Sequence, residues 1–331
     1  MSAVKYIFTV ALLLAVAFLY EKFKHAQEMT DPESDYQIVR KYLLGGQEEA
    51  KPGKPIIWIH ADSDINARWW PSFGSRNTRC SNQPYELLTV TSIVDKCKDD
   101  FSICVVQDKD IPDLVPGWTA DLRKIAEPIR GNMRRLALAR LLHKRGGLLV
   151  PSTFLAFRSL KPMYESACRC PGGMVVCELQ TKMGRGPPLS EPGAIDRQPR
   201  TEFMGCKPES GSMYQYASLL ERICSTDCTA ESAFLGEEEE WCKRTAGEGM
   251  LTTVPPELVG VHDAKGAPIG IERLLGSTYI PLCSRAFGLY VPAEQVRRRT
   301  SYSWFSRQSS LQAMGSDTAL GKYLLVVTSE R

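Results

Sequence analysis

"NMRRLALARLLHKRGGLLVPSTFLAFRSL" spans Asn132–Leu160, and its reading decides the fold. Asn132 is a good N-cap residue for a helix. Met133, Leu136, Ala137 and Leu141 recur at helical spacing and form one apolar stripe. Arg134, Arg135, Arg140, Lys144 and Arg145 cover the other side, which reads as a solvated or partner-facing surface. The cationic last turn suits the negative end of the helix dipole. Gly146 is a natural C′ residue and Gly147 extends the stop. "LLV" then predicts a short buried strand, with "TFLAFRSL" continuing it after a proline break.

The same alternation runs outward in both directions. "PIIWIH" (Pro55–His60) and "FSICVVQD" (Phe101–Asp108) are continuous apolar runs, as buried parallel strands require. Between them, "YELLTVTSIVDKC" (Tyr85–Cys97) has helical spacing, and "GGMVVCEL" (Gly172–Leu179) predicts a fourth strand. The Pro/Gly-rich passage over 182–199 breaks the pattern and reads as a surface loop or a mobile flap. "MYQYASLLERI" (Met213–Ile223) resumes as helix, and "AESAFLGEEEEWC" (Ala230–Cys242) reads as helical or mixed. Strands alternating with helices indicate an α/β fold with a mixed, mainly parallel sheet flanked by helices.

Hydrophobic residues make up 43% of the 331 and charged residues 24%, the composition of a packed globular protein. A formal net charge of +3 gives no reason to expect a nucleic-acid partner. The first stretch stands apart. Tyr6–Tyr20, "YIFTVALLLAVAFLY", carries no charge. It is shorter than the roughly 20 residues that cross a bilayer core. Lys5 and Lys22 can snorkel, however, and Tyr6 and Tyr20 suit the two interfaces. A cleaved signal peptide is the rival reading, but "EKFKH" after the run makes a poor cleavage site. The organisation expected is a transmembrane anchor with flanks (1–24), a polar stem (25–54) and one α/β domain (55–331), with residues 5–22 in the lipid bilayer. Eleven cysteines form no zinc-type spacing. Cys104 and Cys177 lie in strand-like runs and read as core thiols.

The order "PIIWIH", "ICVVQDKDIPDL", "NMRRLALARLLHKRGGLLV", "FRSLKP" resembles the glycosyltransferases that carry an Asp-x-Asp motif, over roughly residues 55–225. The capsular-polysaccharide-synthesis and mannosyltransferase-like members come closest. Longer phrases look like a family of membrane-anchored, glycosyltransferase-like proteins of nucleocytoplasmic large DNA viruses. Among them are "IIWIHADSDINARWWPSFGSRNT", "GNMRRLALARLLHKRGGLLVPSTF", "FMGCKP" and "GLYVPAEQVRRRTSYSWFSR". The resemblance implies a glycosyltransferase-A-like fold. It also implies a single-pass protein of a virion or host internal membrane, with viral capsid or membrane proteins as partners.

In the first of these families the strand after the Gly-Gly ends in Asp-x-Asp, whose carboxylates hold Mn²⁺ or Mg²⁺ against the donor's diphosphate. Here that position reads Val150, Pro151, Ser152, Thr153, with no carboxylate. The Asp of the family's "SDLLRY" helix is also missing, since Met133 and Arg134 stand near it. The expectation is therefore a non-catalytic structural or adaptor protein without a cofactor. The alternative is an active, nucleotide-sugar-dependent glycosyltransferase with a displaced motif, using Mn²⁺ or Mg²⁺ on Asp62 and Asp64 or on Asp108 and Asp110. Each of those pairs follows a strand, where Asp is also common as a turn former. His60 could be a base or a satisfied histidine, and Trp69-Trp70 a stacking platform or core. Arg297, Arg298, Arg299, Tyr302, Trp304 and Phe305 form a candidate interaction surface.

If residues 6–20 anchor the chain, full-length protein will stay with membranes after an alkaline carbonate wash, and a version starting at Lys51 will not. A mature N-terminus near residue 25 would overturn this.

Overall fold

In the computed structural model the first strand, β1 (Ile56–His60), is an inner strand of the sheet. The residues described are 53–61, 83–179, 199–226 and 231–329, and Lys54–Arg331 forms one compact unit. The anchor run at 6–20 lies outside them. Among the described residues no helix is long and apolar enough to cross a membrane.

Ile57, Trp58 and Ile59 are fully buried, because β1 has parallel neighbours on both sides. One neighbour is β2 (Ser102–Val106), reached through helix α1 (Pro84–Cys97). The chain then passes a short helix, α2 (Ile111–Leu114), to the long helix α3 (Ile129–Arg145). Beyond it, β3 (Gly147–Leu149) lies on the other side of β1.

The stop at Gly146-Gly147 is steric. Gly146 has φ 68°, a backbone region costly for residues with a Cβ. Gly147 has φ 102°, and a Cβ there would fall 2.1 Å from the Ile56 carbonyl oxygen. Only a residue without a side chain lets β3 leave α3 and meet β1 so closely.

The sheet continues through β6 (Pro199–Cys206), β5 (Met174–Glu178) and β7 (Thr252–Val254), giving the order β2-β1-β3-β6-β5-β7. β6 runs antiparallel to both β3 and β5, and β5 pairs parallel with β7. The sheet is thus mixed, with parallel pairs in the majority among the described residues. β6 begins at Pro199, where the sequence pattern suggested only a loop. Helices α4 (Lys161–Arg169), α5 (Gly211–Ser225) and α6 (Glu231–Gly247) flank this half.

Three expectations need correction. Helix α3 starts at Ile129 rather than after Asn132, with Pro128 at the N-cap. Pro fits there because the first N–H groups of a helix have no intrahelical acceptor. "TFLAFRSL" does not prolong β3. Phe154–Ala156 is a separate strand, β4, paired antiparallel with β8 (Gly288–Tyr290) in its own two-stranded sheet. The arginines of α3 do not form an open cationic surface. Arg140 bonds Glu221 at 2.6 Å and lies over the Trp118 ring at 5.8 Å. Arg145 donates to the Leu114 carbonyl at 3.4 Å.

Strand β4 divides two cores. Phe154 and Ala156 face the sheet core, with Ile57, Leu148 and Phe203. Leu155 faces the other way, as alternate residues of a strand do. It joins Tyr85, Leu289, Phe305 and Leu320. That second core is built largely from the C-terminal helices α7 (Ile271–Leu274), α8 (Ala293–Arg298), α9 (Ser303–Ser306), α10 (Ser310–Met314) and α11 (Ala319–Ser329). Cys104 and Cys177 are buried thiols in the strands, and burial pushes Cys104 up to about 12.

Gly147→Ala combines a strained φ, costing about 1–3 kcal/mol, with a backbone collision. The variant is expected to lose about 3 kcal/mol or more in urea unfolding, whereas Gly249→Ala, whose Cβ meets nothing within 4 Å, should lose only its φ strain. Equal losses at the two positions would show that the approach to Ile56 is not the constraint.

Candidate functional site

Strands β1 and β2 run parallel in register, so His60 pairs with Val106 at the same sheet edge. This carboxyl edge is where open α/β sheets bind ligands. Asp108 opens the one-turn helix just past β2, and Arg134 reaches it from α3. Arg134 grips both carboxylate oxygens of Asp108, with Nε donating to Oδ1 at 2.6 Å and a terminal nitrogen to Oδ2. His60 Nε2 lies 2.9 Å from the same Oδ1. A two-pronged guanidinium–carboxylate pair is among the strongest of such contacts. All three side chains are largely buried. Burial by itself raises the Asp108 carboxyl, but the hydrogen bonds and charges of Arg134 and His60 outweigh it. The group sits well below the usual carboxylate range.

Asp110 has a different task. Its Oδ2 accepts from the Gln107 backbone N–H at 2.8 Å, and the Gln107 side chain caps the Asp110 N–H in return. The Asp108-Lys109-Asp110 pair is thus divided between an ion pair and a capping box. A cation there would have to displace Arg134, His60 and the cap. These residues do not fit a metal.

The turn at 150–153 is also occupied by structure. Val150 is buried, and its N–H donates to the Trp58 carbonyl at 2.9 Å, extending the β1–β3 pairing. Pro151 O accepts from Phe154 N at 3.0 Å. Ser152 Oγ donates to Glu86 Oε2 at 3.0 Å, and Thr89 Oγ1 donates to Ser152 O at 2.6 Å. Thr153 is buried, with Oγ1 donating to the Val291 carbonyl at 2.7 Å.

Glu86 is the residue the sequence reading missed. It brings a carboxylate to this turn from the first turn of α1. The signal was "NQPYE", with a proline at the helix start and an acid within the first turn. Its other oxygen accepts from Gln83 Nε2 at 2.5 Å. Gln83 in turn accepts from Tyr85 OH at 3.2 Å. The Tyr85 phenol is raised by burial first and by Glu86 next, with Arg297 opposing. One engaged carboxylate cannot replace a metal-binding pair. Among the described residues no three His, Cys, Asp or Glu side chains gather as a metal ion would need. Asp62, Asp64, Trp69 and Trp70 lie outside the described residues.

The tail residues separate. Phe305 is fully buried in the second core, against Tyr85 at 5.5 Å, and is no surface residue. Tyr302 is half-buried against that core, and Arg299 pairs with Glu272. Arg297 is half-buried, and the side chain of Arg298 lies outside the description. Trp304 alone of the three aromatics is exposed, at 42%.

No family model and no curated protein matches the chain. Among solved structures it is similar to a glucose-1-phosphate thymidylyltransferase from Bacillus anthracis in complex with a sucrose. That match has 11% identity and a TM-score of 0.30 over 60% of this chain and 86% of the other. It is also similar to the galactosyltransferase LgtC with donor and acceptor sugar analogues, at 11% identity and a TM-score of 0.28 over 61% and 74%. An active-site mutant of LgtC matches at 11% and 0.27 over the same shares.

Asp108→Asn removes the two-pronged partner of Arg134 and leaves it the more distant Glu127, at 4.0 Å. At neutral pH the variant should be less stable by about 2–4 kcal/mol. The native Asp108 carboxyl lies below its ordinary 3.8, so its stabilisation is complete above that value and lost as pH falls through the folded value. In urea unfolding, the gap between wild type and variant should hold from pH ~7 to ~5 and narrow below about 4. A gap unchanged at pH ~3 would remove the ion pair as its cause.

Proposed function

We propose that this chain is a membrane-anchored, glycosyltransferase-like protein without metal-dependent transfer, serving as a structural or adaptor component at the membrane or capsid of a large DNA virus particle. The observation that carries the non-catalytic part is the engagement of the strand-end polar groups. Asp108 is closed by Arg134 and His60, Asp110 by its cap, and the turn Val150–Thr153 bonds inward to Trp58, Glu86 and Val291. The setting rests on the charge-free run at 6–20 and on the resemblance of the long phrases to the viral family. Capsid or membrane proteins are the partners under this reading, and no cofactor is needed.

Calorimetry of the full-length protein with UDP- and GDP-sugars, with and without Mn²⁺, should give no metal-dependent heat and no sugar release. The protein should also be abundant in purified particles. Metal-dependent binding that vanishes in Asp62→Ala or Asp64→Ala would establish the displaced-motif transferase instead. Presence in infected-cell membranes but never in particles would remove the structural role.

A further inference from the structure

Trp304 and Phe305 are neighbours with opposite fates. Phe305 anchors the second core, and it holds the Trp304 ring edge-on at 5.7 Å and 79°. Trp304 is thus an exposed aromatic ring braced by a buried one. It forms one wall of a surface pocket of about 400 Å³, completed by Arg307, Gln308, Gln312, Gly315 and Ser316. This pocket is open to solvent over most of its boundary, so a ligand there would lie against the wall rather than be enclosed. The pocket belongs to helices α9 and α10 and uses none of the residues at the strand edge.

Its polar walls are mostly neutral. Gln312 is oriented by its capping box: Oε1 accepts from the Ser309 N–H at 3.0 Å, while its Nε2 donors take no part in the cap. Gln308 Oε1 is buried and, among the described residues, has no hydrogen-bond partner. The last torsion of a Gln side chain is soft, so the carboxamide can turn to meet a donor in the pocket. Arg307 adds the one formal charge among the six lining residues.

We propose that this pocket binds a carbohydrate, as a single sugar ring or the terminal ring of a glycan. A pyranose has an apolar C–H face and a rim of hydroxyls, each both donor and acceptor. An exposed tryptophan ring matches the first. Two carboxamides and a guanidinium match the second. A nucleotide would bring two or more negative charges against one cation, which the walls do not balance. The assignment is independent of whether the strand edge is catalytic.

The test is fluorescence titration of the full-length protein, kept in solution where needed by a zwitterionic detergent that contains no sugar. The titrants are methyl glycosides of common hexoses and N-acetylhexosamines. The Trp304 signal is the difference between wild type and Trp304→Phe. At least one glycoside should shift wild-type emission saturably, with a dissociation constant in the millimolar range or below. Trp304→Phe should abolish both the shift and the heat of glycoside binding in calorimetry, which does not depend on Trp304 as a reporter. Gln308→Leu, which removes the orphaned carbonyl, should weaken binding about tenfold while the thermal midpoint stays within a few degrees. No saturable response to any glycoside overturns the proposal. So does a response retained in Trp304→Phe, or one given by nucleosides and not by glycosides.

Discussion

The absence of a Cβ at Gly147 governs the rest of the molecule. With a Cβ excluded by the Ile56 carbonyl at 2.1 Å, α3 can end and β3 can begin within a single residue while β3 lies flush against β1. That closeness fixes where α3 points. Arg134 stands on its inward side three turns before the stop, and so arrives at Asp108 beyond β2. The same closeness carries the chain from β3 into the turn at Val150, whose N–H still pairs with Trp58. Both halves of the strand-end region thus inherit their position from one close backbone approach.

What gathers at that edge is electrostatically closed. An ordinary ligand-binding edge offers unpaired carboxylates or amides to an incoming group. Here a cation is already supplied by the protein, in the form of Arg134, and it occupies both oxygens of the acid it meets. Around the turn, Tyr85, Gln83, Glu86 and Ser152 form a run of side chains in which each hydrogen-bonds the next. Low local dielectric strengthens such runs and makes any broken link costly. The region behaves as mutually neutralising framework.

Much of this was legible in the chain itself, and the failures share one cause. The strands at 56–60 and 102–106, the helix stop at Gly146 and the missing acids at 150–153 are local features, visible in apolar runs and residue identity. Arg134 and Asp108 are 26 residues apart, and Glu86 and Ser152 are 66 apart. Nothing in local spacing announces either meeting. The same holds for β6, whose antiparallel entry between β3 and β5 depends on the return path of the chain. Trp304 and Phe305 show the limit most sharply. Both are aromatic and adjacent, in a helix of four residues too short for any periodicity to separate inside from outside.

Strand β4 has a further consequence for how the molecule comes apart. Its three residues alternate between the sheet core and the C-terminal core, so neither can be opened without unpinning β4 from the other. Segments that open independently need a boundary crossed by few buried side chains. This boundary is itself made of buried side chains, Phe154 and Leu155 back to back. The C-terminal helices are therefore expected to melt together with the sheet rather than peel away as a separate layer, with amide protons of the two cores exchanging at similar rates.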